Sequence, residues 1–220
     1  MKNPQKIVFV RHGQYLGNVM TDTERANHKL FTHDMPLTAS GQSQTLATAA
    51  YIEERFPKFD GCFHSSFVRA RHTAWSFKYQ FCEDVRLNEI DRGVWIQMSA
   101  ADVMKYYPGE ALRKQRCGLY YYQPIGGESW FDAELRVHAF LQFVRDHYAG
   151  KNILLIGHGN WFLLFRKVLE NKSVAWLMQH YHGQGSLANA GVAVFRAQNT
   201  RLGEKLALES LNIVPWMDKS

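Results

Sequence analysis

Two short apolar runs in this chain each end in a histidine followed by a glycine. Ile7-Val8-Phe9-Val10 leads into Arg11-His12-Gly13, and Ile153-Leu154-Leu155-Ile156 leads into Gly157-His158-Gly159. Four-residue runs rich in β-branched residues and bounded by turn signals read as buried strands. A cation or an imidazole cannot continue such a strand into a core, so each polar group marks a strand's end. In α/β folds the carboxyl ends of parallel strands are where ligand sites form. The two histidines lie 146 positions apart, and parallel strands can bring such ends side by side.

The rest of the chain alternates strand and helix signals. The polar stretch from Gln14 to about Asp34 reads as a long loop, a kind of segment that is commonly functional in compact domains. Pro36 to Gly41 reads as a helix entry that Thr38 or Ser40 can cap. Leu46, Ala49, Ala50 and Ile52 then form the apolar stripe of a helix from Gln42 to Arg55. Phe59 to His64 is a weak strand, and Ser65-Ser66 opens a helix carrying Arg69, Arg71, His72 and Trp75. Val85 to Ile90 is a third short apolar segment, with Glu89 near its end. The less regular region from Asp91 to Glu128 reads as a cap over the sheet's edge. Trp130 to Tyr148 is amphipathic, with Leu135, Phe140, Leu141 and Val144 at helical spacings, and Gly150 stops it. An apolar helix from Trp161 to Leu169 and a last strand at Val192 to Phe195 follow, and the remaining tail carries no legible chemistry. The alternation predicts an α/β three-layer sandwich, a largely parallel central sheet flanked by helices, with a cap insertion. A length of 220 residues suits a single domain over 1–220, with about 91–128 as the cap within it.

Charge narrows the partners. The formal charge of +6 favours anions, but each half of the chain carries 13 Lys plus Arg, and the densest cluster, Arg113-Lys114-Gln115-Arg116, is short. A nucleic-acid binder concentrates its basic residues in a stripe, so a small anionic substrate fits better and nucleic acid is not expected. No segment has the length of a membrane span, and the apolar stretch before Arg11 is too short for a signal peptide. Cys62, Cys82 and Cys117 are odd in number and widely spaced, which points to a reducing, cytoplasmic setting.

Three readings of the histidines compete. Either can be a hydrogen-bonded structural residue. Together with His180 and His182 they can bind a metal, although no His-x-x-x-His with Glu and no Asp-rich cluster supports that. The third reading is phosphoryl chemistry, in which arginine forks hold the oxygens and an imidazole attacks phosphorus.

Several segments together resemble the histidine phosphatase superfamily, also called phosphoglycerate mutase-like. Arg11-His12-Gly13 with Asn18 looks like its phosphohistidine motif, and Pro36-Leu37-Thr38-Ala39-Ser40-Gly41 like its Pro-Leu-Thr-x-x-Gly segment. Ser65-Ser66-Phe67-Val68-Arg69-Ala70-Arg71-His72-Thr73-Ala74 is similar to Ser-Ser-x-x-x-Arg-Ala-x-x-Thr-Ala. Glu89-Ile90-Asp91-Arg92-Gly93-Val94-Trp95, Gly126-Gly127-Glu128-Ser129 and Gly157-His158-Gly159 complete the set, from Val8 to about Asn189.

The resemblance implies a phosphatase acting on a small phosphorylated substrate, with His12 as nucleophile and Arg11, Arg69, Asn18, His158 and Gly159 at the phosphoryl group. Glu89 is the implied general acid and base, a task that calls for a pKa near neutrality such as a partly apolar pocket provides. Neither metal nor organic cofactor is implied. Glu128 is expected to orient an arginine or a loop, or to be a plain turn carboxylate. Tyr120, Tyr121 and Tyr122 either pack the cap or contact substrate.

Two positions depart from the family pattern: Gln14, where Glu or Thr is frequent, and Gln97, where a glycine is common. The second bears on the loop after Glu89, for which Asp91 is the nearest substitute acid. The Gly-Gly-Glu-Ser segment and the stretch from Ala111 to Tyr122 look like the phosphatase branches, nearest to fructose-2,6-bisphosphatase and the mutase-like phosphatases. Gly157-His158-Gly159-Asn160 is similar to a mutase motif, so a phosphoglycerate-type phosphomutase is the alternative. An alternative of another class is a non-catalytic phosphate- or protein-binding module. Retention of His12, Arg11, Arg69, Glu89 and His158 argues against that.

Overall fold

The two apolar runs form the inner strands of a six-stranded sheet. β1 (Lys6–Arg11) and β4 (Asn152–Gly157) pair in parallel, in a register that runs from Lys6 opposite Asn152 to Arg11 opposite Gly157. Strand alternation sends Ile7, Phe9, Ile153 and Leu155 to one face and Val8, Val10, Leu154 and Ile156 to the other. Both faces are covered by helices, which is why these strands are apolar throughout rather than alternating. The computed structural model describes residues 2–181, 186–201 and 203–217, apart from the Gln97 side chain.

In chain order, β1 is followed by α1 (Leu16–Val19), α2 (Asp22–Ala26) and α3 (Ala39–Arg55), then β2 (Gly61–His64), α4 (Val68–Ala74) and the two-residue β3 (Cys82–Glu83). The segment 91–128 carries α5 (Val94–Gln97), α6 (Ala100–Tyr106) and α7 (Gly109–Tyr121). Next come α8 (Trp130–His147), β4, α9 (Gly159–Leu169), α10 (Val174–His180), β5 (Val192–Thr200) and β6 (Gly203–Ile213). The strand order is β3-β2-β4-β1-β5-β6; the first four run parallel, and β5 and β6 are antiparallel to their neighbours. The sheet is therefore mixed, with a parallel half that ends at the two histidines.

One face of the sheet packs on α8 and α9, where Phe9 stacks on Trp161 at 5.7 Å between ring centroids. Truncating a buried aromatic of this kind costs about 3–5 kcal/mol. The other face packs on α3 and α4. No helix among the described residues is long and apolar enough to cross a membrane.

The structure adds to the sequence reading or departs from it at four places. The loop after His12 contains α1 and α2; a capping box between Thr21 and Glu24 and an Asp22–Arg25 ion pair hold α2 without any apolar periodicity. The third apolar segment, Val85 to Ile90, opens with a 3-10 turn at Val85–Leu87, just after β3. Leu46 and Leu135 are exposed (60% and 52%). Ala49 and Ile52 of the expected α3 stripe are buried, and with them Gln44, Thr45 and Thr48, whose polar atoms bond Gln14, Ser76 and Ala190. Finally, β6 lies beyond the last expected strand, pairing with β5 and carrying an Arg196–Glu209 cross-strand ion pair.

Candidate active site

Because Arg11 is the register partner of Gly157, the next residue on each strand is one of the two histidines. The His12 N–H donates to the Gly157 carbonyl at 3.0 Å, and the two rings stand 5.1 Å apart between centroids with their planes inclined by 56°. Both are buried. The neighbouring parallel strand β2 ends in step, its Ser65 N–H reaching the Ile156 carbonyl at 3.1 Å.

His12 Nδ1 lies 2.7 Å from the carbonyl oxygen of its neighbour Gly13. A carbonyl only accepts, so Nδ1 carries the proton and Nε2 keeps its lone pair. Burial, then the charges of Arg69 and Arg11, hold the pKa of this ring well below its ordinary value of 6.5. A neutral ring in a fixed tautomer is what a nitrogen nucleophile needs. The glycines around it are there for close approach. A Cβ on Gly41 would come within 1.9 Å of the Gln14 carbonyl oxygen, so the start of α3 can lie against the turn after His12 only as glycine. Thr38 is the residue that caps α3, its Oγ1 accepting the Gly41 N–H at 3.0 Å. The Pro-Leu-Thr-x-x-Gly segment thus buttresses the turn that carries His12. The side-chain oxygen of Gln14 accepts the Thr38 hydroxyl at 2.8 Å, placing this residue in the same buttress.

The arginines are anchored by one nitrogen each. Arg11 Nη1 donates to the Leu187 carbonyl (2.6 Å), and Arg69 Nη1 donates to the Thr32 carbonyl (2.8 Å). The Arg69 guanidinium lies between the rings of Tyr15 and Phe67, at 4.5 and 4.7 Å from their centroids. Arg11 Nε, Arg69 Nε and His158 Nδ1 are buried, and none has a hydrogen-bond partner among the described residues. An unmet buried polar atom costs about 1–3 kcal/mol. The two arginine nitrogens are donors on groups close enough to influence each other's ionisation, and they mark a place built for an anion, with His158 beside them. Gly159 leaves room for this, since a Cβ there would meet Arg11 Nε at 3.5 Å and Ser186 Oγ at 2.7 Å.

Glu89 lies at the N-terminus of α9. Its carboxylate accepts the N–H groups of Asn160 (3.2 Å), Trp161 (3.1 Å) and Ile90 (3.0 Å). His158, the residue in the N-cap position of that helix, makes no side-chain cap bond, and Glu89 fills the role from another segment. The surroundings expected for this carboxyl were partly apolar. Instead it meets three backbone donors, because the helix end has unmatched N–H groups to satisfy. Arg69 and Glu89 line a cavity of about 480 Å³ with Phe31, His33, Phe67 and Arg92.

Glu128 bonds an arginine and a loop backbone rather than standing as a plain turn carboxylate. It pairs with Arg136 through two contacts (2.5 and 3.0 Å) and accepts the Asp91 N–H at 3.2 Å. Arg136 in turn donates to the carbonyls of Arg86 and Asn88 (2.8 and 3.1 Å), so the pair clamps the loop that carries Glu89. Asn18 caps α1 from within, its Oδ1 accepting from the Tyr15 N–H and the Asn189 amide, which leaves its NH2 end to donate. The tyrosines divide. Tyr120 is buried with its hydroxyl on Glu134 (2.7 Å), Tyr121 is exposed, and Tyr122 joins Trp95 to Glu110 while lining a separate cavity of about 430 Å³. His180 stacks on Trp176 and bonds its carbonyl, and His182 lies outside the described residues, as does the side chain of Gln97. No group of three or more His, Cys, Asp or Glu able to hold a metal occurs among the described residues.

Against known proteins, the model of the histidine phosphatase superfamily (branch 1) matches residues 7–205. The chain belongs to this superfamily. Its members include phosphatases and mutases, and this chain is similar to both kinds. It is 31% identical over 163 residues to 2,3-bisphosphoglycerate-dependent phosphoglycerate mutase 2 of Gloeobacter violaceus, covering 70% of each chain. It is 28% identical over 156 residues to rat 6-phosphofructo-2-kinase/fructose-2,6-bisphosphatase 3, covering 70% of this chain and 26% of that protein. In fold it matches a mycobacterial glucosyl-3-phosphoglycerate phosphatase solved with VO3 (TM-score 0.71, 22% identity, 94% of this chain and 98% of that one). It also matches the alpha-ribazole phosphatase of Shigella flexneri (TM-score 0.74, 20% identity, covering 94% and 96%).

Four residues of the site carry no role that the sequence alone assigns: Tyr15, Ser65, Asn88 and Arg136. The signals were faint. Asn88 is a lone amide in a short segment that also holds Arg86 and Glu89, and Arg136 is one of several charged residues on a long amphipathic helix.

Proposed function

We propose that this chain hydrolyses a small or medium phosphomonoester through a phosphohistidine on His12, without a metal. The observation that carries this reading is the Gly13 carbonyl on Nδ1, which leaves the Nε2 lone pair for phosphorus, with two partly unmatched arginines beside it. In the first step His12 Nε2 forms the N–P bond and the ester P–O bond breaks, with Glu89 giving its proton to the departing oxygen. In the second, Glu89 takes a proton from water, the water oxygen bonds phosphorus, and the P–N bond breaks to release phosphate. Arg11, Arg69, Asn18 and His158 hold the equatorial oxygens, whose charge is where most of phosphoryl-transfer catalysis acts. The likeness in fold to a phosphatase solved with VO3 supports this reading. Cys82 and Cys117 are exposed and free, in keeping with a reducing cytoplasmic setting.

A mutase is the second reading, and the phosphoglycerate mutases of Gloeobacter violaceus and Rhizobium etli among its relatives support it. The two differ in whether water or a second hydroxyl takes the phosphoryl group from His12. A panel of phosphorylated sugars, sugar acids and alcohols, scored for free phosphate and for isomerised product, decides between them. Free phosphate in excess of isomer is the expected result, and isomer as the main product would overturn the phosphatase reading.

A further inference from the structure

Ser65 Oγ touches three polar groups. It lies 2.9 Å from Asn88 Oδ1, 2.7 Å from His158 Nε2 and 3.2 Å from the Phe67 N–H. The Asn88 atom also accepts the backbone N–H of Ser66 at 2.9 Å, so it is the amide oxygen and has no hydrogen to give. The single hydrogen of Ser65 therefore goes to Asn88. Toward His158 the hydroxyl can only accept, and the His158 proton is fixed on Nε2. In the neutral ring, Nδ1 is then a bare lone pair, buried and without a partner among the described residues.

That lone pair stands in a strongly cationic place. Arg11 comes from β1, His12 from the turn after it, Arg69 from α4 and Arg136 from α8, while Glu89 is bonded at the start of the helix that His158 opens. The Phe67 ring covers the other side, 5.0 Å from the imidazole. Burial, the two arginines of the pocket, His12 and Arg136 keep the free ring neutral. An incoming phosphoryl oxygen is drawn in by Arg11 and Arg69, yet it cannot rest against a nitrogen lone pair without a hydrogen between them.

We propose that Asn88, acting through Ser65, positions the His158 proton on Nε2, so that a phosphoryl group enters this site together with one proton shared between its oxygen and His158 Nδ1. No bond to phosphorus changes in this step. The proton arrives as the P–OH of a monoanion, or from solvent with a dianion, and it leaves with the released phosphate. Asn88 and Ser65 are positioning residues; His158 alone meets the ligand. The identity of the ligand rests on the phosphatase reading, whereas the tautomer does not.

Two measurements on the full chain test this. Long-range 15N–1H spectra of histidine-labelled protein report the tautomers, and His158 is expected as Nε2–H, opposite to His12 as Nδ1–H. Calorimetric titration with inorganic phosphate, in two buffers of different ionisation heat and at a pH where free phosphate is the dianion, reports proton uptake. Uptake close to one proton per bound phosphate is expected. In Asn88→Ala the Ser65 hydrogen is free to turn to Nε2, so the ring proton moves to Nδ1 and uptake falls to near zero with phosphate still binding. Ser65→Ala removes the acceptor and has the same expected result, which keeps the test open if one variant does not fold. A wild-type Nδ1–H tautomer at His158, or full uptake in both variants, overturns the relay. Failure of phosphate to bind wild-type protein that has the Nε2–H tautomer overturns the proton coupling and the phosphatase reading together.

Discussion

The carboxylate of Glu89 accepts the backbone N–H of Trp161 at 3.1 Å, three residues after His158, so one helix end fixes both the proposed acid and the second histidine. Glu89 reaches that helix from a loop that Arg136 and Glu128 hold by its backbone.

If Glu89 protonates the departing oxygen, its removal is felt only where that oxygen needs a proton. Glu89→Gln is expected to lower kcat on alkyl phosphates by roughly 10²- to 10⁴-fold, and to change the hydrolysis of an aryl phosphate with an acidic leaving group far less. Steady-state kinetics on the two substrates check this. Equal losses on both would remove Glu89 from the acid role.

The loop clamp is expected to act on stability and on chemistry at once. Arg136→Ala leaves Glu128 and two carbonyls without their donor, at a cost of about 1–3 kcal/mol in urea denaturation, with kcat falling on the same alkyl phosphates that Glu89 serves. Glu128→Gln should cost less than Arg136→Ala. The double variant should cost less than the sum of the two, by more than about 0.5 kcal/mol, because the residues act as a pair. Strict additivity would contradict a shared clamp.

Arg69 is held by Thr32 and between two rings, a geometry fitted to a planar guanidinium. Arg69→Lys keeps the charge and loses the fork. A loss in kcat of roughly 10²-fold or more is expected, the scale of removing one donor from a charge-stabilising site. A variant within a few-fold of wild type would show that charge alone suffices there.

Both histidines also shape the pH dependence of stability. Their folded-state pKa values lie well below the ordinary 6.5, so below that pH the unfolded chain binds protons that the native state refuses. Stability is complete above pH 6.5 and falls as the pH drops below it, by up to about 1.4 kcal/mol per pH unit for each ring. Urea denaturation between about pH 7 and about pH 5 reads that slope, and His12→Gln should lose its share. A flat profile across this range would show that the rings are not held neutral.

The parts of this molecule that could be read from its residues are those where one local pattern has one physical outcome. The apolar runs at Ile7 and Ile153 read as buried strands, and parallel strands can set their polar carboxyl ends side by side. The register that sets His12 beside His158 follows from strands of matched length. What could not be read depends on contacts between distant segments. The capping of α9 by Glu89 joins positions about 70 apart, and Ser65 meets Asn88 and His158 across two loops. α2 is held by its own polar side chains, and Thr45 and Thr48 take inward positions on α3 because their hydroxyls have backbone or side-chain partners there. Apolar periodicity carries no trace of either.

In the proposed reaction the phosphoryl group is transferred to His12. Brief incubation with a 32P-labelled phosphomonoester, followed by a denaturing quench, is expected to leave label on the protein that is lost in acid, survives alkali and is absent from His12→Ala. Label or turnover that persists in His12→Ala would contradict it.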